Sequence, residues 1–225
     1  MNADRPINEY GLQQWLVARM ESEGMTVEGE APIVGVNEHA GDPHYQPSES
    51  GSRKIAKGDL LLLDVFGRMK APGSAYYDVT WMGYCVREKE KTVPARMHEL
   101  FAVARDARDA GIALVLHAAN EGRVLRGYEV DRAVRGVVEA AGLGAYFVHR
   151  TGHSLGREVH ASGANLDDFE THDEREILPL TGFTIEPGIY CPKGEPLGVR
   201  TEINIYMGEH GPEVTGPRQA EIVMI

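Results

Sequence analysis

Four carboxylates set in strand-like apolar runs, and one histidine in a glycine-punctuated loop, are the residues of this chain best suited to hold a metal. The carboxylates are Asp64 in Leu60-Leu61-Leu62-Leu63-Asp64-Val65-Phe66, Asp78 in Tyr76-Tyr77-Asp78-Val79-Thr80-Trp81, Glu186 in Phe183-Thr184-Ile185-Glu186-Pro187-Gly188-Ile189-Tyr190, and Glu202 in Val199-Arg200-Thr201-Glu202-Ile203-Asn204-Ile205. Taking a carboxylate out of water costs several kcal/mol unless a partner offsets it, so four such placements ask for a shared partner. A pair of metal ions would serve all four.

The histidine is His153, in His149-Arg150-Thr151-Gly152-His153-Ser154-Leu155-Gly156-Arg157-Glu158-Val159-His160. His149 and His153 are spaced as on one face of a helical zinc site, but Arg150 stands where that motif has its glutamate base, and Gly152 and Gly156 disfavour a helix. The segment reads as a loop and strand that aim three imidazoles into a cleft. By itself it also reads as a surface loop with three unrelated histidines.

In this order and context the residues resemble the pita-bread metallopeptidases, the family of methionine aminopeptidase, prolidase and aminopeptidase P. The resemblance runs from about Tyr10 to Ile225 and is most specific over Thr151 to His160 and Phe183 to Glu202. It implies an α+β fold, a curved antiparallel sheet backed by helices and built from two pseudo-symmetric halves, with Asp64 and Asp78 from the first half and His153, Glu186 and Glu202 from the second. It implies that these five bind two divalent ions, Asp78 and Glu202 bridging, Asp64 completing one site, His153 and Glu186 the other. One imidazole among four carboxylates is a hard, oxygen-rich set that suits manganese, with cobalt, iron or zinc as alternatives. Two ions sharing a water lower its pKa toward neutrality and make it a nucleophile for a peptide carbonyl.

The same resemblance assigns further roles. His160 matches the family histidine that contacts the substrate carbonyl, and Glu186 the residue that shuttles the proton. His44, in Pro43-His44-Tyr45, together with His149 and Arg200, matches substrate-side positions of the proline-specific branch, whereas Tyr190 reads as packing. That branch fits better than methionine aminopeptidase, so the expected substrates are peptides with proline after the scissile bond. Such a bond has no N–H and a fixed φ, and a dedicated cleft is needed for it. The rival readings are a non-catalytic pita-bread binding module and a creatinase-like hydrolase on the same fold.

Three local features depart from the family pattern. Trp81 stands where arginine is usual and Ala161 where an acidic residue is common, while Asp64 and Asp78 are 14 residues apart, with Ala71-Pro72-Gly73 resembling an added turn. The chain also opens on what resembles the second helix of the pita-bread domain. The expectation is therefore a catalytic domain over residues 1–225 without the first helix and the amino-terminal domain of prolidase and aminopeptidase P; a homodimer is also among the expectations.

The elements that must position these residues alternate along the chain without low-complexity tracts. Leu12, Trp15, Leu16 and Met20 predict a first helix, ended by Gly24. Extended segments follow around Pro32 to Val36, Leu60 to Phe66 and Tyr76 to Val86. A long helix is predicted from Pro94, a residue suited to a first turn, through Ala119. Val130, Ala133, Val134, Val137, Val138 and Ala141 mark the buried face of another, stopped by Gly142 and Gly144. Strands return in the last third, after an acidic stretch from Asp167 to Glu176 that reads as a solvated loop. Alternation over Val199 to Tyr206 places Arg200, Glu202, Asn204 and Tyr206 on one face.

With 225 residues, 42% of them hydrophobic, the chain can bury a large core. A net charge of -11 argues against nucleic acid or an anionic membrane as partner. Two cysteines, Cys85 and Cys191, cannot build a disulfide framework, and no long apolar span is visible, so the expected location is the cytoplasm.

Overall fold

The computed structural model describes residues 7–27, 29–191 and 197–225. In chain order the first elements are α1 (Glu9–Ser22), β1 (Met25–Thr26), β2 (Ile33–Val36), β3 (Leu60–Met69), β4 (Tyr77–Tyr84), α2 (Ala95–Asn120) and α3 (Gly127–Ala140). There follow β5 (Ser154–Leu155), β6 (Gly182–Ile185), β7 (Gly188–Tyr190), β8 (Gly198–Arg200), β9 (Ile203–Gly208), β10 (Gly211–Thr215) and β11 (Val223–Met224). One sheet runs β1-β3-β4-β11, with β2 also on β3; a second runs β10-β9-β6-β5; β7 and β8 form a separate pair. Every pairing between these strands is antiparallel except that of β11 with β4.

The long β3–β4 ladder explains both the apolar run and the acids within it. Its register sets Leu60 opposite Tyr84, Leu62 opposite Met82, Asp64 opposite Thr80 and Phe66 opposite Asp78. Side chains alternate between faces, so these eight residues share one face. Leu60, Leu62, Met82 and Tyr84 are sealed in the main core with Phe101, Ala104 and Ile185. Further along the same face, the core gives way to Asp64 and Asp78. The opposite face carries Leu61, packed with Val34 and Val36 under Leu12 and Leu16 of α1. Leu60 to Leu63 are all apolar because this end of the sheet is covered on both sides.

The second sheet repeats the arrangement. Phe183, Ile185, Ile203 and Ile205 belong to the main core, while Thr184 and Asn204, opposite each other in the ladder, belong to the other face. Helices α2 and α3 back this core through Leu100, Phe101, Val115, Val130, Val134 and Val138. The long helix is where the sequence leads one to expect it, with Pro94 at the N-cap position, one residue before the first turn.

Three local expectations change. Trp15 is 44% exposed; the stripe that turns inward on α1 is Glu9, Gln13, Leu16 and Met20, and Trp15 lies off it. The stretch from Val199 to Tyr206 is two strands, because β8 pairs with β7 while β9 pairs with β6 and β10. Thr201 and Glu202 sit at that switch, where the buried Arg108 guanidinium donates to Thr201 Oγ1 (2.7 Å). The acidic stretch is also more than a solvated loop. Asp167, 1% exposed, accepts from the backbone N–H groups of Phe169, Glu170 and Thr171, each at 2.9 Å, and Asp173 accepts from that of Asn165 (2.8 Å).

Candidate metal centre

Asp64 and Asp78 are diagonal neighbours on one face of β3 and β4. Glu202 joins them from the junction of β8 and β9: its backbone N–H donates to Thr80 O (3.3 Å), and its Oε2 accepts from Thr80 Oγ1 (2.7 Å). His153 arrives on the loop before β5. Its Nε2 lies 3.5 Å from Asp78 Oδ2 and 3.3 Å from Glu186 Oε1. Candidate ligand atoms of Asp78, His153 and Glu202 all lie within 4.8 Å of one another.

Local chemistry explains this convergence. The loop bearing His153 runs against β6, where Thr184 N–H donates to His153 O (2.9 Å) and His153 N–H donates to Thr184 Oγ1 (3.0 Å). At Gly152 a Cβ would stand 2.1 Å from Thr184 O, so only glycine permits the approach. Thr184 Oγ1 in turn donates to Glu186 Oε1 (3.0 Å). His153 Nδ1 faces Ser154 O at 3.2 Å. With the proton on Nδ1, the lone pair of Nε2 is turned to the carboxylates, the tautomer a metal-binding imidazole needs.

The centre is charged, buried and incompletely satisfied. Asp64 Oδ1, Asp78 Oδ1 and Glu202 Oε1 are buried without a hydrogen-bond partner. Burial, reinforced by the charges of Asp64 and Glu186, holds the Asp78 carboxyl well above the usual range. Burial and the charge of Asp78 do the same to Glu202. Burial also raises Asp64, against the pull of Arg200. Glu186 moves the other way: burial would raise it, but His153, His149 and Arg200 outweigh that and bring it down. Buried oxygens of this kind, in hard-ligand company with one imidazole, fit a divalent cation.

A chain of hydrogen bonds supports Asp64. Buried Arg200 donates from Nη2 to Asp64 Oδ2 (2.6 Å), from Nε to Thr80 Oγ1 (3.0 Å) and from Nη1 to the Tyr190 hydroxyl (3.0 Å). The Tyr190 hydroxyl lies 2.8 Å from His149 Nε2, and His149 Nδ1 lies 2.7 Å from Arg150 O. Burial lowers the His149 pKa to about 4, so its ring is neutral, with Nδ1 donating to Arg150 and Nε2 accepting from Tyr190. The expected packing role of Tyr190 omits this hydroxyl. The sequence reading also omits Thr80 and Thr184, although each lies two residues from an acid, a spacing that could have flagged them.

Asp64, Asp78, His153, Glu186 and Arg200 line a cavity of about 620 Å³, together with His44, His149 and His160. Glu202 is behind this wall, 2% exposed. The His160 ring stands 4.3 Å from that of His153, edge to face, and His44 lies exposed at the rim with Pro43 and Gln46. Ile33, Phe66 and Val159 give the cavity an apolar side, and Glu30, Glu170 and Arg150 a charged margin, with Arg150 Nη1 3.3 Å from Glu170.

The model of metallopeptidase family M24 matches residues 2–209. The probable dipeptidase PepE of Mycobacterium tuberculosis is 31% identical over 199 residues, covering 87% of this chain and 47% of that protein. Among solved structures, a dipeptidase from Pyrococcus horikoshii OT3 superposes with a TM-score of 0.79 at 29% identity, over 98% of this chain and 55% of that one. An Xaa-Pro dipeptidase from Bacillus anthracis does so with 0.77 at 28%, over 98% and 56%. The chain spans between 34% and 56% of the length of the curated relatives it matches. These likenesses bear out the α+β pita-bread fold, and the chain belongs to metallopeptidase family M24.

Proposed function

We propose that this chain carries the catalytic machinery of a dinuclear metal-dependent peptidase that cleaves the bond preceding proline, and that Asp64, Asp78, His153, Glu186 and Glu202 hold the two divalent ions, manganese being the first choice. The observation that carries the reading is the convergence of Asp78 from β4, His153 from the loop before β5 and Glu202 from the β8–β9 junction, with three buried carboxylate oxygens left without donors. When bound, the ions supply Lewis-acid polarisation of the scissile carbonyl and a water acidic enough to ionise near neutral pH.

The chain's own residues do the rest. Glu186, kept ionised and held by Thr184 Oγ1, is placed to take a proton and return it to the leaving nitrogen. His160, beside His153 in the cleft wall, is placed to donate to the oxyanion. Its pKa is lowered by burial and then by His153, so its neutral form prevails and donates a single N–H. Arg200 fixes Asp64 and, through Tyr190, His149. Ile33, Phe66 and Val159 offer apolar surface for a proline ring, with His44 over it at the rim. Names of relatives support the same class, from dipeptidase to Xaa-Pro dipeptidase. A reducing compartment suits a chain in which neither Cys85 nor Cys191 forms a disulfide.

The test is metal analysis of protein prepared without added metal, followed by hydrolysis of Xaa-Pro, Xaa-Ala and Met-Ala peptides of matched length with manganese or cobalt. Preference for Xaa-Pro is expected. Preference for Met-Ala would move the chain to the methionine branch, and metal-loaded protein inert to all three would favour a non-catalytic module.

A further inference from the structure

One of the buried carboxylates that stand apart from the proposed metal ligands is Glu9. It opens α1 and has no exposed surface. Its Oε1 accepts from the Val36 N–H (2.9 Å), and its Oε2 from the Tyr45 hydroxyl (2.7 Å) and the Arg53 N–H (2.8 Å). His39 Nδ1 lies 2.9 Å from both oxygens. Three of these four partners, His39, Tyr45 and Arg53, belong to the connection between β2 and β3.

That connection forms part of the cleft wall. It supplies Pro43, His44 and Gln46 to the cavity. The His39 and Tyr45 rings stack at 4.3 Å, folding the segment so that residues 40–44 project between two side chains tied to the same carboxylate. Its other side rests on β8: at Gly198 a Cβ would stand 1.7 Å from Ala40 O. Glu9 thus holds the segment from one side while the strand leading to Arg200 abuts it on the other.

We infer that Glu9 is a positioning residue for peptide binding: by gathering His39, Tyr45 and the Arg53 backbone onto one carboxylate, it sets where Pro43, His44 and Gln46 stand over the metal-binding floor. The inference rests on the reading of that cleft as the peptide site. Its physical basis is the acceptor count. A carboxylate accepts on both oxygens, whereas the isosteric amide of glutamine would turn two N–H donors toward groups that themselves donate, so the segment must shift or lose contacts. Glu9 has no place in the cavity wall, so its effect belongs in binding rather than in bond breaking.

The experiment compares Glu9→Gln, Tyr45→Phe, His44→Ala and the Glu9→Gln/His44→Ala pair, measuring metal content, KM and kcat on the preferred peptide, and hydrogen exchange over residues 37–53. Glu9→Gln is expected to keep the wild-type metal content, raise KM about tenfold with kcat within about twofold, and lose amide protection in that segment. Tyr45→Phe, which removes one donor and preserves the rest, should shift KM in the same direction by less, and it carries the test if Glu9→Gln does not fold. The pair should fall short of the product of its single effects, because both act through the same contact. Unchanged KM in Glu9→Gln, a loss confined to kcat, or full additivity with His44→Ala would overturn the inference. If wild-type protein cleaves no peptide, the reading of the cleft fails separately. Hydrogen exchange then decides on Glu9: lost protection in Glu9→Gln supports its hold on the segment, and unchanged protection overturns it.

Discussion

Two buried acidic regions of this molecule have opposite hydrogen-bond balances. At Glu9 both oxygens meet donors supplied by the chain itself. At the candidate metal centre, Asp64 Oδ1, Asp78 Oδ1 and Glu202 Oε1 meet none, and Asp78 and Glu202 are held well above the ordinary carboxylate range by burial and by the charges of neighbouring carboxylates. The desolvation cost is of the same kind in both places, and only the compensation differs. A satisfied carboxylate organises the chain around it. A set of unsatisfied ones destabilises the fold until a ligand arrives, as expected of a metal site whose binding energy is also folding energy.

The contrast can be broken most decisively by removing metal. Chelation should abolish peptide hydrolysis and lower the unfolding temperature, with both restored by manganese or cobalt; hydrolysis that survives in protein shown to be metal-free would refute the assignment of the five ligands. The next effect is catalytic. His160→Ala should retain metal, as judged by elemental analysis, while kcat falls by about 100-fold, the scale of losing one oxyanion donor. Metal loss in that variant would place His160 among the ligands instead.

A third measurement sets the two regions directly against each other. In metal-free protein, Asp78→Asn removes a carboxyl whose ionisation burial and the charges of Asp64 and Glu186 disfavour, so it should raise the unfolding temperature. Glu9→Gln removes an acceptor from groups that need it and should lower stability by about 1–3 kcal/mol. Shifts of the same sign in calorimetry would show that the two carboxylate regions are not distinguished by their compensation.

The sequence made the cleft easier to read than Glu9, for a physical reason. Asp64, Asp78 and Glu186 interrupt apolar strands, and an acid in such a run is visible as a violation of the local pattern. Glu9 sits at a helix start, where an acidic residue is ordinary because it favours the helix dipole, so its complete burial leaves no local mark. The same holds for Asp167 and Asp173, which cap turns within a run of charges that otherwise resembles solvated loop. Alternation along Val199 to Tyr206 placed Arg200 and Glu202 near each other but could not reveal that the strand changes partners at Thr201 and Glu202, since that switch depends on β6 and β7. The long α2 was legible from Pro94 onward because its buried face is continuous.

The smallest effect worth measuring is at Tyr190, behind Arg200 and His149. Its hydroxyl accepts from Arg200 and donates to neutral His149, so Tyr190→Phe leaves one guanidinium N–H and one ring nitrogen without a partner while keeping the buried ring that packs against His149. Arg200 still holds Asp64 at 2.6 Å and Thr80 at 3.0 Å, so the carboxylate cluster keeps most of its support. The loss should be about 1 kcal/mol, or a few-fold in kcat/KM, with metal content unchanged. Arg200→Lys, by contrast, replaces a planar fork with a single ammonium that cannot reach Asp64, Thr80 and Tyr190 together, and should cost more. Equal losses in Tyr190→Phe and Arg200→Lys would mean that the hydroxyl touches the peptide itself, and Tyr190 would then move from support of Arg200 to direct contact with substrate.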